Sequence, residues 1–212
     1  MTSSGNDPLP TSIAAEGTPH TYFEAVVVGA SAGGISALGT LLSALPVSFP
    51  VPTLIVQHCS PNHPSYLAEI LSKQTELAVQ QAKDHSPIYP ANVYIAPPNY
   101  HLLVGSPQEL RLSQTEPIHY VRPAVDNLFI SAAQVFKDRV IGVILTGTGK
   151  DGMNGACAIY KAGGVMIVQN RTTSKFFGMP GEVISTGCAN QILPLQEIAE
   201  SLCTLVLKED ND

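Results

Sequence analysis

Residues 24–45 read EAVVVGASAGGISALGTLLSAL. The β-branched run at the start predicts a buried strand, and the glycines that follow it predict a tight turn. Apolar residues then recur at helical spacing through Leu45, which predicts a helix. A second buried strand is predicted over 53–57, with a helix over 64–71 after it. This order is typical of a right-handed βαβ unit whose strands are parallel.

Later segments continue the α/β pattern. Apolar runs at 92–96, 101–104 and 109–112, separated by turn residues, predict antiparallel strands inserted at the edge of the sheet. The remaining predicted elements are helices over 124–136, 153–162 and 195–207 and strands over 140–145 and 165–169. The predicted fold class is therefore α/β: a doubly wound, mostly parallel sheet with helices on both faces and a small antiparallel hairpin insertion.

The domain organisation follows from composition. Residues 22–207 are predicted to form one domain, with 208–212 as a short tail. Residues 1–21 are rich in Ser, Thr, Pro and Gly and have no apolar period, which predicts a flexible leader. The chain is 44% hydrophobic and 13% charged, as expected for a folded protein.

Charge and hydropathy exclude two classes of partner. The net charge is −6, with 11 Lys and Arg residues and no basic run, so we expect no nucleic-acid binding. No apolar run approaches the roughly 20 residues that span a bilayer, so we expect no membrane insertion. The four cysteines form no C-x-x-C pair and follow no signal peptide. This favours the cytoplasm and gives little support to a disulfide framework.

Ser31 is the first candidate for a chemical role. Gly29-Ala30-Ser31-Ala32-Gly33 fits G-x-S-x-G, in which a serine on a strand-to-helix turn projects its oxygen outward. A plain helix cap is an alternative. A dinucleotide site would need an acid at the end of the second strand, where Gln57 and His58 stand instead. A phosphate-binding P-loop fails because Gly149-Lys150 is followed by an acid.

His58 and Asp151 also follow predicted strands. Because the carboxyl ends of parallel strands meet at one edge, a nucleophile, a base and an orienting acid could converge there as a catalytic triad. The alternatives are a structural histidine at His58 and a cap, at Asp151, for the helix that follows it. The order Ser, His, Asp matches neither subtilisin nor the α/β-hydrolases.

Other candidates carry less weight. Cys59 is discounted as a nucleophile because adjacent residues of an extended segment point to opposite faces. The irregular spacing of the histidines predicts no metal site, and no cofactor is expected. Arg122 could bind a carboxylate or phosphate, or make a surface ion pair. Four residues of a Gly- and Pro-bearing loop could line a substrate groove, with a plain structural loop as the alternative: Ser174, Gly178, Met179 and Pro180.

A family resemblance joins these motifs. The chain resembles the catalytic domain of CheB, the chemotaxis protein-glutamate methylesterase, over about residues 24–205. The strings that carry the resemblance are VVVGASAGG, IVQHCSPNHPSYLAEIL, VYIAPPNYHLLV, RPAVDNLFISAA, GVILTGTGKDGMNG, KAGG and FGMPGEVISTGCANQILPLQEIA. Thr148 stands where the family usually has Met, and Ala124 where it has Ser. A backbone N–H donor at position 148 survives the first change.

The resemblance implies a mechanism and a substrate. Ser31 would be the nucleophile, His58 the general base and Asp151 the orienting acid. Backbone N–H groups at Ala32 or Thr148 would hold the oxyanion.

The implied substrates are glutamate γ-methyl esters on the cytoplasmic helices of methylated chemoreceptors, and glutamine side chains to be deamidated. The family's receiver domain has no counterpart in the 23 residues before Glu24, so control would need a separate receiver protein in trans. The rival hypothesis is a non-catalytic α/β binding module for a protein or nucleotide.

Overall fold

A computed structural model describes residues 22–207, so the predicted leader (1–21) and tail (208–212) lie outside the described residues. Within this range the strands are β1 (Ala25–Ala30), β2 (Thr53–Gln57), β3 (Ala78–Gln81), β4 (Asn92–Ile95), β5 (His101–Ser106), β6 (Glu109–Ser113), β7 (Val140–Ile144), β8 (Val165–Gln169) and β9 (Gln191–Leu193). The α-helices are α1 (Gly34–Ser43), α2 (Leu67–Ser72), α3 (Val125–Phe136), α4 (Met153–Lys161), α5 (Gly178–Ser185) and α6 (Leu195–Val206).

Seven strands form one parallel sheet in the order β3-β4-β2-β1-β7-β8-β9. The central strand β1 is buried along its whole length, and its side chains alternate between the two faces. Val26 and Val28 pack on one side with α1, α2 and α6. Val27 packs on the other side with α3, α4, α5 and the hairpin. The predicted doubly wound α/β fold is confirmed.

The antiparallel insertion is smaller than predicted. Among the nine described strands, β5 and β6 are the pair that runs antiparallel, and they form a separate two-stranded sheet. The predicted strand over 92–96 is instead β4, which pairs parallel with both β2 and β3. The prediction that this strand is antiparallel was wrong because Pro97-Pro98-Asn99, which follows it, resembles a hairpin turn. In the structure β4 is a largely buried inner strand of the main sheet.

A disulfide joins Cys157 in α4 to Cys188, which follows α5. Their Cα atoms are 5.1 Å apart although the residues are 31 positions apart in sequence. The expectation of little disulfide bonding is therefore wrong for this pair. Spacing could not reveal it, because the packing of α4 and α5 on the same face of the sheet brings the two sulfurs together.

No helix within residues 22–207 combines the length and the apolar character needed to cross a bilayer.

Candidate active site

Ser31 lies where β1 ends and the turn into α1 begins. Its backbone N–H donates to the carbonyl oxygen of Thr146 at 3.1 Å, which ties this turn to the loop after β7. Gly33 is the N-cap of α1 and has φ of 77°, a left-handed conformation that glycine adopts without steric cost. The helix has no side-chain cap, and the Ser31 hydroxyl bonds to no residue within 22–207. The interpretation of Ser31 as only a helix cap is therefore wrong.

His58 leaves the sheet beside Ser31. The strands β1 and β2 are parallel neighbours in which Ala30 pairs with Gln57, so the next residue of each strand emerges at the same edge. The His58 N–H donates to the Ala30 carbonyl oxygen at 3.0 Å. The His58 Nε2 lies 2.7 Å from the Asp151 Oδ2, with side-chain exposures of only 12% and 3%. The sequence prediction that these strand ends meet is matched by this geometry.

The His58 nitrogen that faces Asp151 is Nε2, and this determines which nitrogen of the ring can act as a base. With Asp151 ionised and His58 neutral, the ring proton sits on Nε2, because that nitrogen faces a carboxylate that only accepts hydrogen bonds. The Nδ1 then carries the lone pair and is the nitrogen that can take a proton. In the chymotrypsin-type triad the two nitrogens have the opposite roles.

Ser31 and His58 line one groove of about 1240 Å³. Within the described residues no hydrogen bond joins the Ser31 hydroxyl to His58. Catalytic hydrogen bonds are often long without substrate and tighten when it binds. The groove lining is Ser31, Ala32, Gly33, Gly34, Ile35, Ser36, Gly39, Thr40, Ser43, Gln57, His58, Gln74 and Lys175.

Asp151 is buried and accepts three hydrogen bonds. Its Oδ2 accepts the Val125 N–H at 2.6 Å as well as bonding His58, and its Oδ1 accepts the Asp126 N–H at 3.1 Å. Val125 and Asp126 are the first two residues of α3. A carboxylate is favoured there by the free N–H groups and the helix dipole. Asp151 therefore caps α3 and not α4, the helix that follows it, which corrects the capping alternative.

Asp126, in the first turn of α3, accepts hydrogen bonds from the first turn of α4. Its Oδ1 accepts the Gly155 N–H at 2.8 Å and its Oδ2 accepts the Asn154 side-chain amide at 3.3 Å. Burial raises the pKa of the Asp126 carboxyl, and the charge of Asp151 acts in the same direction. The N-termini of α3 and α4 are therefore held by Asp151 and Asp126 respectively, and this fixes the position of the carboxylate that contacts His58. The motif containing Asp126 was visible in the sequence, but its reach to α4 was not.

Gln57 is a second residue that sequence reasoning missed. It is 7% exposed, and its side-chain N–H₂ donates to the carbonyl oxygens of Ser31 at 2.8 Å and His58 at 3.0 Å. A single amide group thus bridges the main chain of the two residues. Its Oε1 has no hydrogen-bond partner among residues 22–207.

Gln57→Glu is expected to lower turnover by about 10- to 100-fold. The substituted carboxylate has the same shape but cannot donate, so two buried carbonyl oxygens lose their partner at a cost of about 1–3 kcal/mol. The relevant measurements are kcat on a small activated ester and a urea melt. Gln74→Glu is the matched control, because Gln74 lines the same groove without bridging Ser31 and His58. Equal losses in both variants would contradict a special place for Gln57.

His101 supports α3 from behind the site. It is fully buried, its Nδ1 accepts the Ala124 N–H at 3.1 Å, and its Nε2 lies 3.2 Å from the Glu116 carbonyl oxygen. This pattern fits one neutral tautomer. Burial lowers the pKa of His101 below its usual value.

This shift predicts a pH dependence of folding. Unfolded His101 takes up a proton below about pH 6.5, whereas the folded residue resists it. Its stabilising contribution is therefore complete above that pH and declines as pH falls toward the lowered pKa. Unfolding free energies between pH 8 and pH 5 should fall more steeply for wild type than for His101→Gln, by up to about 1.4 kcal/mol per pH unit. Parallel curves would contradict the assignment.

The two predicted oxyanion donors flank Ser31 on separate loops. Ala32 lines the groove, and Thr148 is exposed in the loop that follows β7. Gly147 touches Ser31 so closely that an added Cβ would lie 2.8 Å from the Ser31 Cβ. The N–H groups of Ala32 and Thr148 make no hydrogen bond within the described range. They are therefore available as donors.

Arg122 is engaged away from the groove. Its guanidinium donates to Asn99 Oδ1 at 3.0 and 2.6 Å and to the carbonyl oxygens of Gln114 and Thr115 at 3.0 and 2.9 Å. It makes no ion pair with a described carboxylate, so the surface ion-pair alternative is wrong. Substrate binding by Arg122 stays a prediction, and the structure gives the residue a tethering role.

The remaining sequence candidates lie outside the groove lining. Met179 and Pro180 are buried, and the Ser174 hydroxyl donates to a backbone carbonyl. Cys59 is exposed beside the groove rather than in it. Among residues 22–207 no group of three or more His, Cys, Asp or Glu side chains is placed to hold a metal ion.

Similarity to known proteins extends over most of the chain. The family model for CheB methylesterase matches residues 26–202. A protein-glutamate methylesterase/protein-glutamine glutaminase of Trichodesmium erythraeum is 44% identical over 182 residues, which are 84% of this chain and 52% of the relative. A protein of Caulobacter vibrioides named protein-glutamate methylesterase/protein-glutamine glutaminase 2 is 40% identical over 195 residues, covering 90% of this chain and 56% of the relative.

A solved structure agrees with the fold. The Thermotoga maritima CheB methylesterase catalytic domain has a TM-score of 0.83 and 40% identity, covering 87% of this chain and 99% of that domain. The chain spans about half the length of the two curated relatives.

Proposed function

Because the chain belongs to the CheB methylesterase family, we propose that it is a serine hydrolase that demethylates glutamate γ-methyl esters on chemoreceptors. The observation that carries this proposal is the 2.7 Å contact of His58 with Asp151 at the edge of the groove that Ser31 also lines. A hydrolase needs these three groups on one site, whereas the rival binding module does not. The contact between these two side chains, of which His58 is 12% and Asp151 3% exposed, favours the hydrolase.

The proposed reaction has two steps. The Ser31 oxygen attacks the ester carbonyl while His58 Nδ1 takes its proton, and the N–H groups of Ala32 and Thr148 stabilise the oxyanion. When the tetrahedral intermediate collapses, the imidazolium gives its proton to the departing methoxide, so that methanol leaves. Water, deprotonated by the same nitrogen, then attacks the acyl-enzyme and releases the glutamate carboxylate and the Ser31 hydroxyl. Asp151 stabilises the imidazolium in both steps.

The same acyl-enzyme accounts for a second substrate. A glutamine side chain presents an amide carbonyl at the same position, and His58 can protonate the departing nitrogen so that ammonia leaves. The relatives in Trichodesmium and Caulobacter are named for both activities. We therefore include protein-glutamine deamidation in the proposal.

The proposed substrates set the partner and the location. They are methylated side chains on the cytoplasmic helices of chemoreceptors, so the protein would act in the cytoplasm and without a cofactor. Where receiver control operates, a separate receiver protein would supply it in trans.

Methanol release is the test of this function. Wild-type protein is incubated with the methylated cytoplasmic fragment of a chemoreceptor, and Ser31→Ala serves as the inactive control. The proposal expects time-dependent methanol from wild type alone. Hydrolysis of small esters without any methanol from the receptor would contradict the proposed substrate while leaving the serine hydrolase chemistry in place.

The 212-residue chain is expected to be active without a phosphoryl donor. The groove that contains Ser31 is open among the described residues, and Ser31 is itself partly exposed. Initial rates of methanol release should therefore match within about two-fold with and without acetyl phosphate, a difference of less than 0.5 kcal/mol. Activity that appears only after a phosphodonor or a phosphorylated partner is added would contradict this expectation.

A further inference from the structure

The charge at the active-site groove is opposite to that of the whole chain. The chain carries a net charge of −6, yet between Arg139 and Gly181 it has five Lys or Arg residues and a single acid, Asp151. That acid is buried against His58 and contributes nothing to the exposed surface. Two loops beside the groove, 146–152 and 170–178, lie within this segment, and we call them the mouth of the groove. They pack together where Gly178 meets Thr148. The mouth is therefore locally basic.

Lys175 brings this positive charge into the groove. Among the lining residues it is the only Lys or Arg, and none is Asp or Glu. The Lys175 Cβ would lie 3.2 Å from a Cβ added at Gly33, two residues after Ser31. The lysine therefore packs against the turn that contains Ser31. It is exposed and forms no ion pair with any acid of residues 22–207. Its Nζ lies over the Phe176 ring, 5.9 Å from the ring centroid, and this long cation–π contact leaves the ammonium group able to bind an incoming anion.

The reacting group does not itself need this charge. A methyl ester is neutral, and in the proposed reaction the oxyanion is stabilised by the backbone N–H groups of Ala32 and Thr148. A lysine at the rim, on a flexible stem, fits a second group of the substrate better than the reacting carbonyl. Opposite charges across such a contact improve both selection and encounter.

The rest of the groove suits a polypeptide. Ser36, Gly39, Thr40 and Ser43 line it from one face of α1, where their side chains are small and uncharged. From Gly33 to the end of the helix this face runs about 15 Å at 1.5 Å per residue. It therefore spans roughly three turns of a helix laid alongside it.

We propose that Lys175 is a specificity-determining residue, which binds a carboxylate side chain of the substrate protein close to the esterified glutamate. This inference rests on the proposed function, since it names the kind of protein segment that the hydrolase selects: an acidic one. Arg171 and Lys150, on the same two loops, add to the positive potential around the contact.

The test uses two peptides that each contain one glutamate γ-methyl ester. They differ only in whether the residues within four positions of the ester are Glu or Gln. Methanol release gives kcat and KM for wild type, Lys175→Met, Lys175→Glu and Lys161→Met. Lys161 is the matched control, because it is an exposed lysine in the last turn of α4, at the end of that helix far from the groove.

Wild type should prefer the Glu peptide by about three- to five-fold in kcat/KM, through KM rather than kcat, with the preference declining at high salt. Lys175→Met should lose the preference, Lys175→Glu should reverse it, and Lys161→Met should keep it. An unchanged preference in Lys175→Met, or an equal loss in Lys161→Met, would overturn the proposal. So would a fall in kcat of similar size on both peptides, because Lys175 would then act on the reacting group.

A binding measurement separates this inference from the proposed function. Fluorescence anisotropy with Ser31→Ala needs no chemistry, and it compares the two peptides with and without the additional Lys175→Met substitution. Stronger binding of the Glu peptide that disappears with Lys175→Met supports the inference even if no peptide is hydrolysed. Equal binding of both peptides by Ser31→Ala overturns it even if the protein proves to be an active methylesterase.

Discussion

Ser31→Ala is expected to lower ester hydrolysis by at least about 10⁴-fold, because it removes the oxygen that attacks the carbonyl. The fold should be unaffected. The hydroxyl makes no hydrogen bond within residues 22–207 and caps no helix, so the free energy of unfolding should change by less than about 0.5 kcal/mol. Steady-state turnover of a small activated ester and a urea melt measure the two quantities.

Ser36→Ala is the matched control for this variant. Ser36 presents a second hydroxyl to the same groove, but from α1 rather than from the strand end. Its removal should leave small-ester turnover within about two-fold of wild type. Retained turnover in Ser31→Ala, or an equal loss in Ser36→Ala, would show that Ser31 is not the nucleophile.

Asp151→Asn is expected to lower turnover by about 10³- to 10⁴-fold, or about 4–5 kcal/mol of transition-state stabilisation. An amide can present a donor to His58, which favours the wrong tautomer and leaves the imidazolium without a countercharge. Stability should also fall, by about 1–2 kcal/mol. Asparagine has one acceptor oxygen for the Val125 and Asp126 N–H groups that the two carboxylate oxygens now satisfy.

Asp126→Asn separates the two effects. Asp126 is likewise a buried carboxylate that holds a helix N-terminus through two hydrogen bonds, but it makes none to His58. It should lose a similar amount of stability and keep turnover within about ten-fold of wild type. If Asp151→Asn loses no more activity than Asp126→Asn, Asp151 has only a structural role.

The parts of the site that sequence reasoning could reach are those at strand ends. Ser31, His58 and Asp151 each follow a buried apolar run, and parallel neighbours must end at one edge. The structure brings His58 and Asp151 into contact and sets Ser31 in the same groove. The β1 and β2 strands were equally clear, because their continuous β-branched runs are typical of strands buried on both faces.

The parts that sequence reasoning missed depend on long-range contacts or on weak local signals. The edge strands β3 and β9 have four and three residues and bury none of their side chains, so no hydrophobic period marks them. The bridging amide of Gln57 and the exchange of helix caps by Asp126 and Asp151 join residues that are distant in sequence. No spacing rule describes such contacts.

The most direct test of the central claim is the site of covalent labelling by a fluorophosphonate, which reacts with an activated serine and mimics the attacked carbonyl. After labelling, digestion and peptide mass mapping, the adduct should lie on Ser31. Labelling should be about 10³-fold slower in Asp151→Asn, where the base is no longer oriented. An adduct on any other residue, or labelling of Ser31 at the same rate in both proteins, would contradict a triad of Ser31, His58 and Asp151.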